Sequence, residues 1–128
     1  MMITAPVSWG ELLDKITILE IKTEQLTDAA KLANVRKELD ELARTRDAAL
    51  QMPADALALI ADLKAVNQKL WVIEDDIRDC ERNKDFGAHF IELARSVYFT
   101  NDERARLKRR LNDLLGSALV EEKSYAAY

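Results

Sequence analysis

Cysteine and histidine occur once each in 128 residues, proline twice and glycine three times. Each scarcity excludes something. A single thiol, Cys80, cannot form an intrachain disulfide, and inside an apolar stripe it packs as a small hydrophobe. A single imidazole, His89, rules out a histidine-rich metal site within one chain and leaves a Ser–His–Asp triad unsupported. Few helix breakers mean long regular elements. No apolar run approaches the roughly 18 residues of a membrane span, and the opening MMITAPVS lacks a basic and an apolar leader region. A soluble, cytoplasmic chain without membrane association is the expectation. There is no G-x-G-x-x-G, no P-loop and no G-x-S-x-G. Any catalysis would therefore run on carboxylates, lysine or tyrosine, with Mg²⁺ held by acids as the only cofactor in view.

What is present is helix-forming. Apolar residues make up 48% and charged residues 33%, dominated by Ala, Leu, Glu, Lys and Arg. The net charge of −4 argues against general nucleic-acid binding, which needs a cationic surface. The length suits a single domain over residues 1–128.

The stretch Leu59 to Glu81 organises the chain. Leu59, Leu63, Val66, Leu70, Ile73, Ile77 and Cys80 alternate at spacings of four and three, which draws one apolar stripe along a helix. A polar seam runs beside it through Asn67, Trp71, Glu74, Arg78 and Glu81. After a short lead (1–7), Ser8-Trp9-Gly10-Glu11 has capping-box spacing, with the Ser8 hydroxyl on a backbone N–H and Glu11 reaching back. Helix 1 is predicted from Trp9 to about Leu26, helix 2 from Ala29 to Leu50, helix 3 from Ala54 to Arg82 and helix 4 from Phe86, capped by Asp85, to Leu115. Asn83-Lys84-Asp85-Phe86-Gly87 is the clearest turn, and Gly116-Ser117 stops helix 4 before a tail, 117–128. The fold class is all-α: an antiparallel bundle of about four helices with a long helix 3–helix 4 hairpin.

Helix 1 is apolar on two sides, because Ile18 and Ile21 point away from Trp9, Leu12, Ile16 and Leu19. Either the tail or a second copy, as a homodimer, is expected to cover them; another protein partner is the remaining choice. Two acids, Asp14 and Glu20, fall inside the apolar arcs, with Lys15 and Lys22 flanking Asp14. Internal salt bridges or a site would each account for them.

In an antiparallel hairpin turning near residue 85, facing positions have numbers that add to about 170. Asp75 then faces Arg95, Trp71 faces Tyr98, and Asn67 faces Asp102. Tyr98, Asn101, Asp102 and Arg104 meet Asn67, Trp71, Glu74 and Asp75 at mid-height, with Arg78 and Arg95 a turn or two nearer the loop. Two readings stay open: a buried network that fixes helix register, or a polar cavity for a small anionic or metal-linked ligand. Residues 104–110 hold Arg104, Arg106, Lys108, Arg109 and Arg110 and no acid. Their charge is offset by helix 2 (Glu38, Asp40, Glu41) or the tail (Glu121, Glu122), or it forms a patch for phosphate or an acidic partner.

Ser8-x-Gly10-Glu11-Leu12-x-Asp14-Lys15-x-x-Ile18-Leu19-x-Ile21-Lys22 resembles the opening of an uncharacterised bacterial family of small helical proteins. The likeness continues through Leu70-Trp71-x-Ile73-Glu74-Asp75, Phe90-Ile91-x-Leu93-Ala94-Arg95-x-Val97-Tyr98, Asn101-Asp102-x-Arg104-Ala105 and Glu121-Glu122-Lys123-Ser124-Tyr125. The resemblance covers nearly the whole chain. It implies a self-contained bacterial helical domain, found alone or joined to glycosyltransferase-like or tetratricopeptide-type proteins, and no particular reaction. It also implies that helix 1, with Asp14, Lys15 and Lys22, and the tail close over the same polar cluster.

Two functions compete. A non-catalytic helical interaction module fits the two-sided helix 1 and the long hairpin. An Mg²⁺-dependent phosphate- or nucleotide-handling enzyme would use acids one helical turn apart, as in Glu11-x-x-Asp14 and Glu38-x-x-Glu41. The candidate ligand-binding residues are Asp14, Lys15, Lys22, Trp71, Glu74, Asp75, Arg78, Arg95, Tyr98, Asn101, Asp102, Arg104 and Lys108.

Overall fold

Ser8 sets the first helix. In the computed structural model, which describes all 128 residues, the Ser8 Oγ accepts from the Glu11 amide at 3.1 Å, and α1 follows as Trp9–Gln25. Asp28 does the same for α2, Ala29–Ala49, accepting from the Lys31 amide at 2.9 Å. Pro53 lacks an N–H that a helix start would leave unpaired, and α3 runs Ala54–Arg82 from it. α4 spans Ala88–Leu115 and stops at Gly116, whose φ of 64° is the left-handed conformation that a Cβ makes costly. All four elements are helices, and α3 and α4 pack as a hairpin.

α4 begins two residues later than the sequence suggests. Asp85 Oδ1 accepts from the Gly87 amide at 3.1 Å, so its side chain closes the turn and does not cap the helix. The hairpin register matches the arithmetic. Ile73 and Cys80 of α3 share one cluster with Leu93 of α4, and Ile77, Phe90 and Val97 pack against it. Nearer the base, Leu59, Leu63 and Val66 meet Leu107, Leu111 and Leu13. At the end of α4, Leu114 is exposed and Leu115 packs on the core.

The helices are unequally buried. α2 touches α1 alone and has no buried residue, because its narrow stripe of Leu32, Val35, Leu39 and Leu42 offers one apolar side chain per turn. α1 touches the other three helices, which accounts for its two apolar sides. Ile21 is fully buried within the single chain, so it needs neither the tail nor a second copy. Ile18 is half-buried at the rim of a groove with Leu70, Trp71 and Val97. Glu20 reaches Lys64 of α3 at 3.9 Å, and Glu24 reaches the same amine at 2.7 Å.

Candidate functional site

The start of α1 is seated on the end of α4. The Gly10 amide donates to Asn112 Oδ1 at 2.6 Å, and the Trp9 amide donates to Ser117 Oγ at 3.1 Å. With Ser8 on the Glu11 amide, the first three unpaired N–H groups of α1 all have side-chain acceptors. Gly10 permits this closeness: a Cβ there would lie 2.6 Å from the Lys108 carbonyl oxygen. Asn112 and Ser117 were not among the candidates. Gly10 inside a helical pattern was the one signal that another backbone comes near.

That seating brings Asp14, 1% exposed, against Arg104. Arg104 Nε donates to Asp14 Oδ1 at 2.8 Å, and its Nη2 donates to Oδ2. Asn67 Nδ2 donates to Asp14 Oδ1 and to Thr17 Oγ1, each at 2.9 Å, and Thr17 returns its hydroxyl proton to the Asp14 carbonyl at 2.8 Å. The hydrogen bond to Asp14 raises the Arg104 pKa above the usual arginine value, against a smaller opposing effect of burial. A two-pronged guanidinium–carboxylate contact with every buried side-chain N and O paired is what a buried charge needs to be tolerated. The lysines expected beside Asp14 are elsewhere. Lys15 turns out to Glu38 of α2 at 3.1 Å, and Lys22 lies one turn before the end of α1.

One turn beyond Arg104, Lys108 holds two acids from opposite directions. Its Nζ donates to Glu11 Oε2 at 2.8 Å and to Glu121 Oε2 at 2.9 Å. Burial pulls the Lys108 pKa down, but the hydrogen bonds to Glu11 and Glu121 outweigh it and leave it raised. Glu121 is correspondingly lowered, chiefly by Lys108. The capping box is thus half-formed: the Glu11 side chain goes to Lys108, not back to its own helix start. Arg109 pairs with Glu122 at 3.1 Å. The acids that offset the basic stretch of α4 come from α1 (Asp14, Glu11) and from the tail (Glu121, Glu122), while Glu38 of α2 pairs with Lys15 of α1.

The tail continues along α4. Its Tyr128 donates to Asp102 and stands edge-on to Tyr98 and Phe99, with ring centres 5.2 and 4.9 Å away. A groove of about 770 Å³ lies between them, lined by Tyr98, Asn101, Asp102 and Arg104 on α4 and by Tyr125 and Tyr128 on the tail. A smaller one of about 290 Å³ lies across α4, lined by Trp71, Glu74, Asn101 and Arg104 with Ile18. Asn101 and Arg104 border both.

The expected single cluster is therefore divided. Trp71, Glu74, Asn101, Arg104 and Asp14 are neighbours on the α1 side; Tyr98 and Asp102 face the tail. Glu74 meets neither Arg95 nor Arg104, because Arg78, one turn along the same helix, takes its carboxylate at 3.0 Å. Arg95 sits over the Phe99 ring, 5.8 Å from its centre. Asp75 is exposed and lines neither groove.

No three acidic, histidine or cysteine side chains converge as metal ligands would. No helix is long and apolar enough to cross a membrane. A family model described as a family of unknown function, DUF6165, matches residues 3–128. The chain belongs to DUF6165. Neither the curated proteins nor the solved structures contain a match to it. The DUF6165 match takes in all four helices and the tail that closes the groove, so the family unit includes both sides of the site.

Proposed function

We propose that this chain is a non-catalytic helical interaction module, and that it associates through the arm of the α3–α4 hairpin with a second copy of itself. The arm supports this reading. Its core is Ile73, Cys80 and Leu93 with half-buried Ile77, Phe90 and Val97, all from two helices. A two-helix layer has no third element to bury its face. Helical phase puts Phe90, Ala94 and Val97 on the side of α4 that carries Asn101 and Arg104. The side that α1 covers at the base thus runs on, uncovered, up the arm. Phe86, 49% exposed, stands edge-on to Phe90 at the tip of this side, and Ile91, 55% exposed, flanks it about a quarter turn round α4.

A second arm is the occupant that fits. Two hairpins set face to face complete a four-helix arrangement. On the α3 rim Glu74 and Arg78 pair with each other, and the same pair on a two-fold-related copy can exchange partners across the seam. The acids of the Mg²⁺ reading are already engaged: Glu11 by Lys108, Asp14 by Arg104, Glu38 by Lys15 and Glu41 by Arg44.

Sedimentation of the full chain tests the proposal. The wild type is expected to be a dimer, and Ile91→Glu and Phe86→Glu are expected to be monomers of unchanged helicity. A monomeric wild type, or dimers insensitive to both changes, would sink it.

A further inference from the structure

Residues 117–128 lie on α4 in an unusual way for a packed segment. Beyond Ser117, no tail amide or carbonyl takes part in a backbone–backbone hydrogen bond, and every residue from 118 to 128 is exposed. What holds the tail is side-chain tips: Glu121 on Lys108, Glu122 on Arg109, and Tyr128 on Asp102 and the Tyr98–Phe99 pair. Lys108 and Arg109 come from a stretch with five cations and no acid. The groove left between tail and helix is open at about 770 Å³, so the segment rests over its seat without filling it.

We infer that this face of α4 is a peptide-binding site for an acidic, tyrosine-bearing segment of a partner protein, with the chain's own tail as the resident occupant. The resident defines the chemistry. Two adjacent carboxylates meet Lys108 and Arg109, and an aromatic side chain a few residues on reaches Tyr98, Phe99 and Asp102. Arg106, on the groove wall, adds a further cation for an incoming acid. Contacts through side-chain tips can be exchanged one at a time, whereas a strand or helix would have to be displaced whole. The tether through Gly116 gives the resident a high effective concentration, so a partner gains access when the tail's charges are weakened or when its own are stronger. This inference goes beyond the arm reading and uses another face of α4.

The test uses the full chain and a labelled synthetic peptide reproducing residues 117–128, followed by fluorescence anisotropy. In a Glu121→Lys, Glu122→Lys chain the resident is repelled from the seat, and the peptide is expected to bind about tenfold or more tighter than to wild type. Adding Arg109→Glu to that chain should abolish the gain, and so should a peptide with both glutamates changed to glutamine. Raising the salt concentration should weaken binding. Phe86→Glu, which tests the arm at the hairpin tip, should leave it unchanged. Equal affinity for the wild-type and charge-reversed chains, or binding indifferent to Arg109→Glu, would overturn the inference. So would dimerisation of the wild type that vanishes with Glu121→Lys, Glu122→Lys, since the groove would then belong to the tail of a second copy.

Discussion

Gly10 and Asn112 join the two ends of the fold: the amide of one meets the side-chain oxygen of the other at 2.6 Å across 102 residues of chain. The contact needs both the missing Cβ at position 10 and an acceptor at position 112. Gly10→Ala gains in helix propensity but drives a methyl into the Lys108 carbonyl, a backbone atom that cannot swing aside. The expected result is a net loss of about 1–3 kcal/mol, the range for overpacking. Asn112→Ala, which leaves the Gly10 amide buried without a partner, should cost about the same. Chemical denaturation of both variants checks this, and a stabilised Gly10→Ala would show that α1 and α4 have room to separate.

Asp14 carries the buried charge network. Removing its carboxylate with Asp14→Ala strands Arg104 and leaves one N–H of the Asn67 side chain unpaired, and should cost about 3–5 kcal/mol. Glu74→Ala, which removes an exposed pair with Arg78 on one helix, should stay within about 0.5 kcal/mol. Equal losses for the two would mean that Glu74 works inside the network.

Mg²⁺ offers a separate check on the carboxylates. Glu11, Asp14, Glu38 and Glu41 are each held by a cationic side chain. A divalent ion would have to displace these partners, so Mg²⁺ alone or with a nucleotide should leave the melting temperature unchanged. A saturable rise would restore the enzyme reading.

The difference between Asp14 and Glu74 also marks what the sequence could reveal. Spacing exposes a residue on the wrong side of its own helix, and Asp14 stood out for that reason. Its partner could not be read the same way. Lys15 and Lys22 are near in number, yet Arg104 comes from another helix and meets Asp14 only because Gly10 lets α1 sit close to α4. Glu74 is the opposite case: the hairpin arithmetic sets it among the polar residues that meet α4, whereas Arg78, four residues on along the same face of α3, takes its carboxylate. The hairpin register was legible because one turn and two stripes determine it. Asn112 and Ser117 were not, since they cap a helix from the far end of the chain and local cap patterns extend only three or four residues. The tail lacks periodicity altogether, and only its charges hinted at a seat on the basic stretch.

The docking of the tail should depend on pH at both ends of the scale. Glu121 is lowered, chiefly by its hydrogen bond from Lys108 and with a smaller contribution from Lys123. A depressed carboxyl stabilises the docked form above the ordinary glutamate value of 4.5, and that contribution is lost as the pH falls through the lowered docked-state value. Lys108 is raised despite its burial, so its contribution is complete below 10.5 and is lost only as the pH climbs through the raised value. Tyr128 is raised by the hydrogen bond that it donates to Asp102, and its contribution likewise fades above 10.0. The tail should therefore be seated across the neutral range and come free in acid below pH 4.5, with a second release in alkali. Glu121 and Tyr128 are largely solvated, so this is a local release that leaves the helices folded. Backbone relaxation of the tail amides, followed through a pH titration, reads it directly. Glu121→Gln should show a looser tail at neutral pH and a flattened acid limb. An acid limb identical to that of the wild type would overturn the assignment to Glu121.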